Sequence, residues 1–325
     1  KNFGRAADGS TSLGNLNDMA SSSSVVLDGG ALRVSGDSGT ARDRAIVVGP
    51  AGATIEVATG SFYMGNPSAL YTNSYATNSI LTLTGAATGQ IDKVIGGPGV
   101  SVVKNGAGIW TITGTNTYSG GTTLSGGLLT ISNSSALGSG MLTMNGGALN
   151  TSAGFTNSIT LNNATNTFAP NGFYRVLRGK IGGPGGFAVA NGGGTPGLAL
   201  SNPSNDFAGN ITVNSGTYLM LWNVSEVIPD TAIVTNNGNF RMSDTAGRTE
   251  TIAGMNGNGS VWMGNGTGGN QTLRIGANDV SSEFSGKIVR ATDLLRTLSL
   301  AKIGSGTFTL SGTNAYTGAT TGNGG

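Results

Sequence analysis

A run of residues recurs in this chain, and the recurrence limits the fold more than any single motif does. Lys104-Asn-Gly-Ala-Gly-Ile-Trp-Thr-Ile-Thr-Gly-Thr-Asn-Thr-Tyr118-Ser-Gly returns as Lys302-Ile-Gly-Ser-Gly-Thr-Phe-Thr-Leu-Ser-Gly-Thr-Asn-Ala-Tyr316-Thr-Gly. Looser copies of its end lie between them, at Ser204-Asn-Asp-Phe207-Ala-Gly and Ser281-Ser-Glu-Phe284-Ser-Gly. A second unit is shared by Asp28-Gly-Gly-Ala-Leu32 and Asn145-Gly-Gly-Ala-Leu149, and a third by Ile95-Gly-Gly-Pro-Gly-Val100 and Ile181-Gly-Gly-Pro-Gly-Gly186. Internal repeats of this kind mark stacked architectures, and the uneven spacing of the copies disfavours a propeller of uniform blades.

Between the glycines the pattern is that of strands. Trp110, Ile112 and Gly114 fall on one side of the alternation and Thr111 and Thr113 on the other; Leu142 and Met144 likewise alternate with Met141 and Thr143. Runs such as Ile211-Thr-Val213 and Ser260-Val-Trp-Met263 are stopped by Asn-Gly, Gly-Gly or Ser-Gly turns. A strand this short cannot bury its own face, but stacked coils let each inward residue pack on its equivalents above and below. The expectation is an all-β fold, a right-handed parallel β-solenoid, with a β-sandwich array as the alternative. Coils of about 20–30 residues would form a single elongated body over 1–325, with recognisable repeat units near 24–34, 104–149, 200–216, 273–286 and 302–318, and irregular loops around 61–80, 170–200 and 287–299.

Composition supports this and excludes other classes. The 58 glycines oppose helix, yet 37% of residues are apolar, which opposes disorder. There is no Cys and no His, so disulfides, thiolate nucleophiles and imidazole bases are absent. A net charge of +2 is too small for a non-specific nucleic-acid binder, and no segment is long and apolar enough for a membrane helix.

The run at 108–123, followed by Gly126-Gly-Leu-Leu-Thr-Ile131 and Ser135-Ala-Leu-Gly138, resembles the autotransporter-associated β-strand repeat of bacterial surface proteins. The resemblance implies a secreted protein displayed at the bacterial cell surface. It implies no activity, since the repeat marks scaffold rather than site. The function expected first is a structural or fibre-forming surface protein without catalytic activity. An adhesin for carbohydrate or a host surface, and a polysaccharide-active enzyme, are the alternatives. The terminal repeats are incomplete, which fits either a piece of a longer passenger or a processed subunit that assembles end to end through its terminal rungs.

Candidate sites are few. Glu226 with Asp230, or Asp279 with Glu283, would supply the two carboxylates of a glycosidase if a turn brought them together, but solvated turn residues are the plainer reading. Asp37 and Asp43 offer little to a calcium ion. Arg175, Arg178 and Lys180 form the densest basic group, in a stretch without acids from 93 to 205, and would suit an acidic surface or simply keep the chain soluble. Tyr118, Phe207, Phe284 and Tyr316 hold equivalent repeat positions and read as packing, as do Trp110 and Phe308. Trp222 and Trp262 have no equivalents and are the better candidates for an exposed patch that meets a cell-surface polysaccharide. Gly96 to Gly99 lack the Lys-Ser/Thr of a phosphate loop. No catalytic, cofactor or metal residues are assigned.

Overall fold

The computed structural model describes residues 2–4, 25–37, 46–65, 74–242, 247–263, 269–289 and 297–324. Among these residues the regular structure is strand, apart from one 3-10 turn at Ala277–Asp279. Strands that follow one another in the chain go to different sheets, and each pairs in parallel with a strand of the next coil. The result is a right-handed parallel β-solenoid. Hydrogen bonds between adjacent coils join residues 18 to 30 apart in sequence. The chain divides into two compact units, Lys1–Ala153 and Gly154–Gly325.

In the first unit one sheet carries Ala53–Thr59, Ile80–Gly85, Ser101–Lys104, Gly121–Leu124 and Leu142–Met144 in that order. A second carries Ser61–Met64, Thr88–Ile91, Ile109–Ile112, Leu128–Ile131 and Ala148–Thr151. Register stacks like positions. Leu81, Val102, Thr122 and Leu142 form one buried ladder, and Ile91, Ile112 and Ile131 another. Thr82, Val103, Thr123 and Thr143 make the matching outer row. Trp110 is fully buried because its partner in the preceding coil is Gly89, where an added Cβ would lie 2.6 Å from the indole. The space lets Phe62, one coil further back, approach the same ring at 6.2 Å. Burial of such ladders stabilises the stack at roughly 25 cal/mol per Å².

In the second unit Leu198, Leu219, Phe240, Val261 and Ile288 form the inward ladder of a sheet made from Arg175–Leu177, Gly197–Leu200, Tyr218–Leu221, Asn239–Met242, Ser260–Met263 and Lys287–Ile288. The facing sheet packs Phe168 edge-on to Phe187 at 5.2 Å, and Phe187 to Phe207 at 5.6 Å.

The stretch 170–200, expected to be irregular, instead holds the strands Arg175–Leu177, Ile181–Gly182, Phe187–Val189 and Gly197–Leu200. Their glycine-rich surroundings mask them in the sequence, but each strand's partner lies in a neighbouring coil, so local propensity decides little. Ser61–Met64 and Ser74–Tyr75 are strands inside 61–80, and Lys287–Ile288 and Leu298–Ile303 are strands at the borders of 287–299; residues 66–73 and 290–296 lie outside the described residues.

The repeated Thr-Asn-x-aromatic segment has a mechanical role. Asn116 Oδ1 accepts the Ile95 N–H at 2.8 Å from the coil before, and its Nδ2 donates to Ala136 O at 2.6 Å in the coil after. Asn205 does the same, between the Ile181 N–H (2.7 Å) and Val227 O (2.8 Å). Each amide spans three coils beside a buried ring, Tyr118 or Phe207. Replacing Asn116 by Leu leaves a buried donor and a buried acceptor without partners and is expected to cost about 2–3 kcal/mol. Asn116→Asp keeps the acceptor and is expected to cost less. Urea denaturation of the two variants, read as shifts in midpoint at constant slope, checks both.

Candidate binding surface

Of the sequence candidates for catalysis, Glu226, Asp279 and Glu283 are engaged with backbone or hydroxyl groups of a neighbouring coil. Glu226, in a left-handed backbone conformation (φ 52), turns its carboxylate onto the next coil, where it accepts the Thr251 N–H at 2.8 Å and the Thr251 hydroxyl at 3.0 Å. Asp230 is exposed. The acid that answers Glu226 is Glu250, 1% exposed in an inward ladder beside Leu273, which accepts the N–H groups of Val227 (3.1 Å) and Ile228 (2.6 Å). The two carboxylates thus lace adjacent coils reciprocally. Asp279 accepts the Ser305 N–H at 2.6 Å, whereas Glu283 accepts the Ser311 hydroxyl at 2.7 Å, so these two also bind backbone or hydroxyl groups of the following coil. Asp37 accepts the Ser61 hydroxyl at 3.0 Å, and Asp43 lies outside the described residues. Among the described residues no group of three or more acidic, His or Cys side chains is placed to hold a metal ion.

The basic group is also divided. Lys180 pairs with Asp206 at 2.6 Å, an exposed contact of small energetic weight. Arg175 donates from Nε and Nη2 to Asn171 O, at 2.8 and 2.6 Å, and Arg178 is exposed. Of the repeat aromatics, Trp110, Tyr118, Phe207 and Phe284 are fully buried, while Tyr316 and Phe308 are only half-buried, in the coil of Phe308–Leu310 and the segment after it. Tyr118 and Tyr316 keep the same local bond, each hydroxyl meeting a threonine four residues on, Thr122 or Thr320, at 2.6 and 2.7 Å.

The unmatched tryptophans behave differently. On the outward side of the sheet whose inward ladder runs from Leu198 to Ile288, register aligns Val176, Ala199, Met220, Arg241 and Trp262. An outer row of this kind is Thr-rich in the first unit; here Val176, Ala199 and Met220 are buried beneath Tyr174 and Trp222. Tyr174 reaches over the sheet from a left-handed conformation (φ 53), and Gly197 below it has no side chain to obstruct the ring: a Cβ there would lie 3.1 Å from Tyr174 Cδ1. Tyr174 sits 6.2 Å from Trp222 and 3.8 Å from Phe173, which is 47% exposed. Tyr218 bridges Phe173 (5.8 Å) and Trp262 (6.3 Å).

Arg241 locks the group. Its guanidinium carbon lies 4.9 Å from the Tyr174 ring centre and 4.7 Å from that of Trp262, and Nη1 donates to the Tyr174 hydroxyl. A desolvated cation between two aromatic faces is worth about 2 kcal/mol. It fixes rings that would otherwise rotate. The patch is therefore aromatic and partly open, with Phe173 its most exposed ring. Trp222 and Trp262 were legible as outliers to the repeat; Phe173, Tyr174 and Arg241 were not, although an Arg inside the alternating run Asn239-Phe-Arg-Met242 was the available signal.

The family described as Passenger-associated-transport-repeat matches residues 102–131, 189–217 and 300–325. Over 262 residues, 73% of this chain, the sequence is 29% identical to the adhesin BmaC autotransporter of Brucella suis biovar 1 (strain 1330), and the aligned part spans 7% of that protein's length. No solved structure matches the chain. The chain carries that transport repeat in three stretches, is similar to autotransporter passengers and is secreted to the cell surface.

Two buried ionisable groups in the solenoid interior escape the alternating pattern. Lys104 stands in an inward ladder between Leu83 and Leu124, and its ammonium donates to the carbonyls of Asn105, Gly106 and Gly126 at 2.8–3.0 Å. Burial lowers its pKa to about 8. Burial raises that of Glu250 to about 8, with the Glu226 charge adding to the rise and the Val227 and Ile228 N–H groups opposing it. The folded state therefore holds the Glu250 proton more tightly than the unfolded chain does. That contribution to stability is complete below about 4.5, the ordinary value, and is lost as pH rises through about 8. Lys104 acts in the opposite sense, since the folded state disfavours its charge and stability recovers as pH climbs from about 8 towards 10.5. Comparison with Glu250→Gln isolates the acid: relative to the variant, the native chain is expected to lose stability between pH 5 and pH 8.5. The loss is worth about 1.4 kcal/mol for each unit of displacement. Denaturation midpoints measured for both chains across that range check it.

Proposed function

We propose that this passenger segment is an adhesive, non-catalytic surface element, and that the aromatic patch around Arg241 makes the contact. The patch is the observation that carries the reading. A pure scaffold or fibre has no use for an outward cluster of rings on a chain with 10% charged residues, because exposed apolar area promotes non-specific association. A binding surface does. The order of expectation set by the sequence, scaffold before adhesin, is accordingly reversed. Support also comes from the related Brucella protein, whose name calls it an adhesin. The acids a hydrolase would need are engaged with backbone and hydroxyl groups, as Glu226 is with Thr251 and Glu250 with Val227 and Ile228.

Beads coated with the 325-residue chain are expected to adhere to cultured epithelial cells, and beads carrying Phe173→Ser to lose more than half of that adhesion. Adhesion no greater than that of uncoated beads would remove the adhesive reading. Release of reducing ends from a polysaccharide that stops in Glu226→Gln would replace it with an enzymatic one.

A further inference from the structure

We infer that the outer face of the sheet from Arg175–Leu177 to Lys287–Ile288 binds an acidic polysaccharide, its pyranose rings lying on the aromatic patch and its anionic groups drawn by Arg241 within it and Lys287 beside it. The inference deepens the adhesive reading of the same patch and rests on it.

Three features select this ligand. The first is the arrangement of the rings along the stack. Phe173 and Tyr174 precede one edge strand, Tyr218 and Trp222 come two strands later, and Trp262 comes two strands later again. Strands are about 4.8 Å apart, so the aromatic groups succeed one another along a line several sugar rings long. An extended polymer follows such a line; a monosaccharide occupies one step of it. The tilts between neighbouring rings, 44° to 73°, leave separate faces and edges rather than one flat plane, which suits a ligand built of linked, puckered rings. The C–H-rich face of a pyranose packs on an aromatic ring while its hydroxyls stay free for hydrogen bonds.

The second feature is polar decoration beside the rings. Tyr218, Asn239, Ser260 and Lys287 align as the neighbouring outer row of the same sheet, so donors and acceptors accompany the aromatic line at every coil. A protein partner docking on a hydrophobic patch would call for an apolar centre with a polar rim. Here polar and aromatic rows run side by side instead.

The third is charge. The six strands of this sheet contain Arg175, Arg241 and Lys287 and no Asp or Glu. Arg241 is held between the Tyr174 and Trp262 rings, so it sets a positive potential within the patch without presenting itself as a direct contact. Exposed Lys287 stands in the outer row at one edge of the sheet, whereas Arg175, at the other edge, falls in the register of the inward ladder and is held by Asn171 O. Such a field favours carboxylate- or sulfate-bearing sugars over neutral ones.

The decisive measurement is calorimetric titration of the full chain, with intrinsic fluorescence as a second readout, because two of its three tryptophans, Trp222 and Trp262, belong to the patch. The probes are hyaluronan for carboxylate, heparin for sulfate and dextran as the neutral control. Binding of hyaluronan or heparin at least tenfold tighter than dextran is expected, weakening with added salt, with a change in tryptophan emission. Phe173→Ser is expected to weaken it about tenfold and Lys287→Glu about fivefold. Both residues are exposed, so both variants should melt as the native chain does, and exposed Val26→Ser in the other unit is expected to change nothing. Equal affinity for dextran, no binding of either acidic polymer, or full affinity in Phe173→Ser would each overturn the inference. The bead assay separates the two levels: coated beads that adhere to cells while neither polymer binds retain the adhesive reading without this ligand. Polymer binding without cell adhesion does the reverse.

Discussion

Every coil of this protein depends on the next one for its backbone hydrogen bonds. Among the described residues, strands of two to seven residues, such as Ser74–Tyr75 and Ala53–Thr59, make no hairpin partners, and their pairings are parallel and come from a neighbouring coil. One rule follows for the side chains. An inward residue is surrounded by its own equivalents above and below, so ladders of like volume are favoured, and an exception needs local compensation, as Trp110 has in Gly89. An outward residue faces only its row neighbours and solvent. The interior is thus constrained by stacking, while the exterior is where a departure from the repeat can be tolerated and used.

Parallel strands in a stack can slip, because the ladders repeat themselves at each step, and a slip of one residue would exchange inside for outside. The buried polar groups act against slippage. The side-chain amides of Asn116 and Asn205 each tie a coil to both of its neighbours at fixed atoms. The Lys104 ammonium collects carbonyls from its own turn and from that of the next coil, and Glu226 and Glu250 accept N–H groups from each other's coil, Glu226 from Thr251 and Glu250 from Val227 and Ile228. None of these groups is cheap to bury, yet each is satisfied in one register only. They trade some free energy for a single alignment, the role best attested for buried polar residues elsewhere.

This division explains what could be read in the sequence. The alternation Trp110-Thr-Ile112 gives sidedness directly, since period two is local, and Trp110 and Ile112 are buried with Thr111 outside them. The glycine-bounded repeat gives the stacked fold for the same reason. What it cannot give is which residue lies over which, because coil-to-coil bonds reach across anything from 18 to 30 residues. Glu226 therefore looked nearest to Asp230, four positions on, when its neighbour is Glu250 in the adjacent coil. The strands within 170–200 were hidden likewise: Val176 becomes part of a row only when Ala199 and Met220 are set beside it.

The aromatic patch lies between these cases. Trp222 and Trp262 were visible as rings without counterparts in the repeat, and that absence was informative because a solenoid interior asks for counterparts. A large residue that no equivalent supports from above or below either distorts the stack or belongs on the outside. Outside, it loses burial unless other residues gather round it, and here they do so from three separate coils: Tyr174 through a left-handed turn over Gly197, Tyr218 across the sheet, and Arg241 between two rings. A left-handed tyrosine and a desolvated guanidinium are both unfavourable in isolation. Neither assists coil stacking, which the inward ladder from Leu198 to Ile288 already provides. Their joint effect is to hold a set of aromatic faces still at the surface, and a surface held still loses less entropy when it binds.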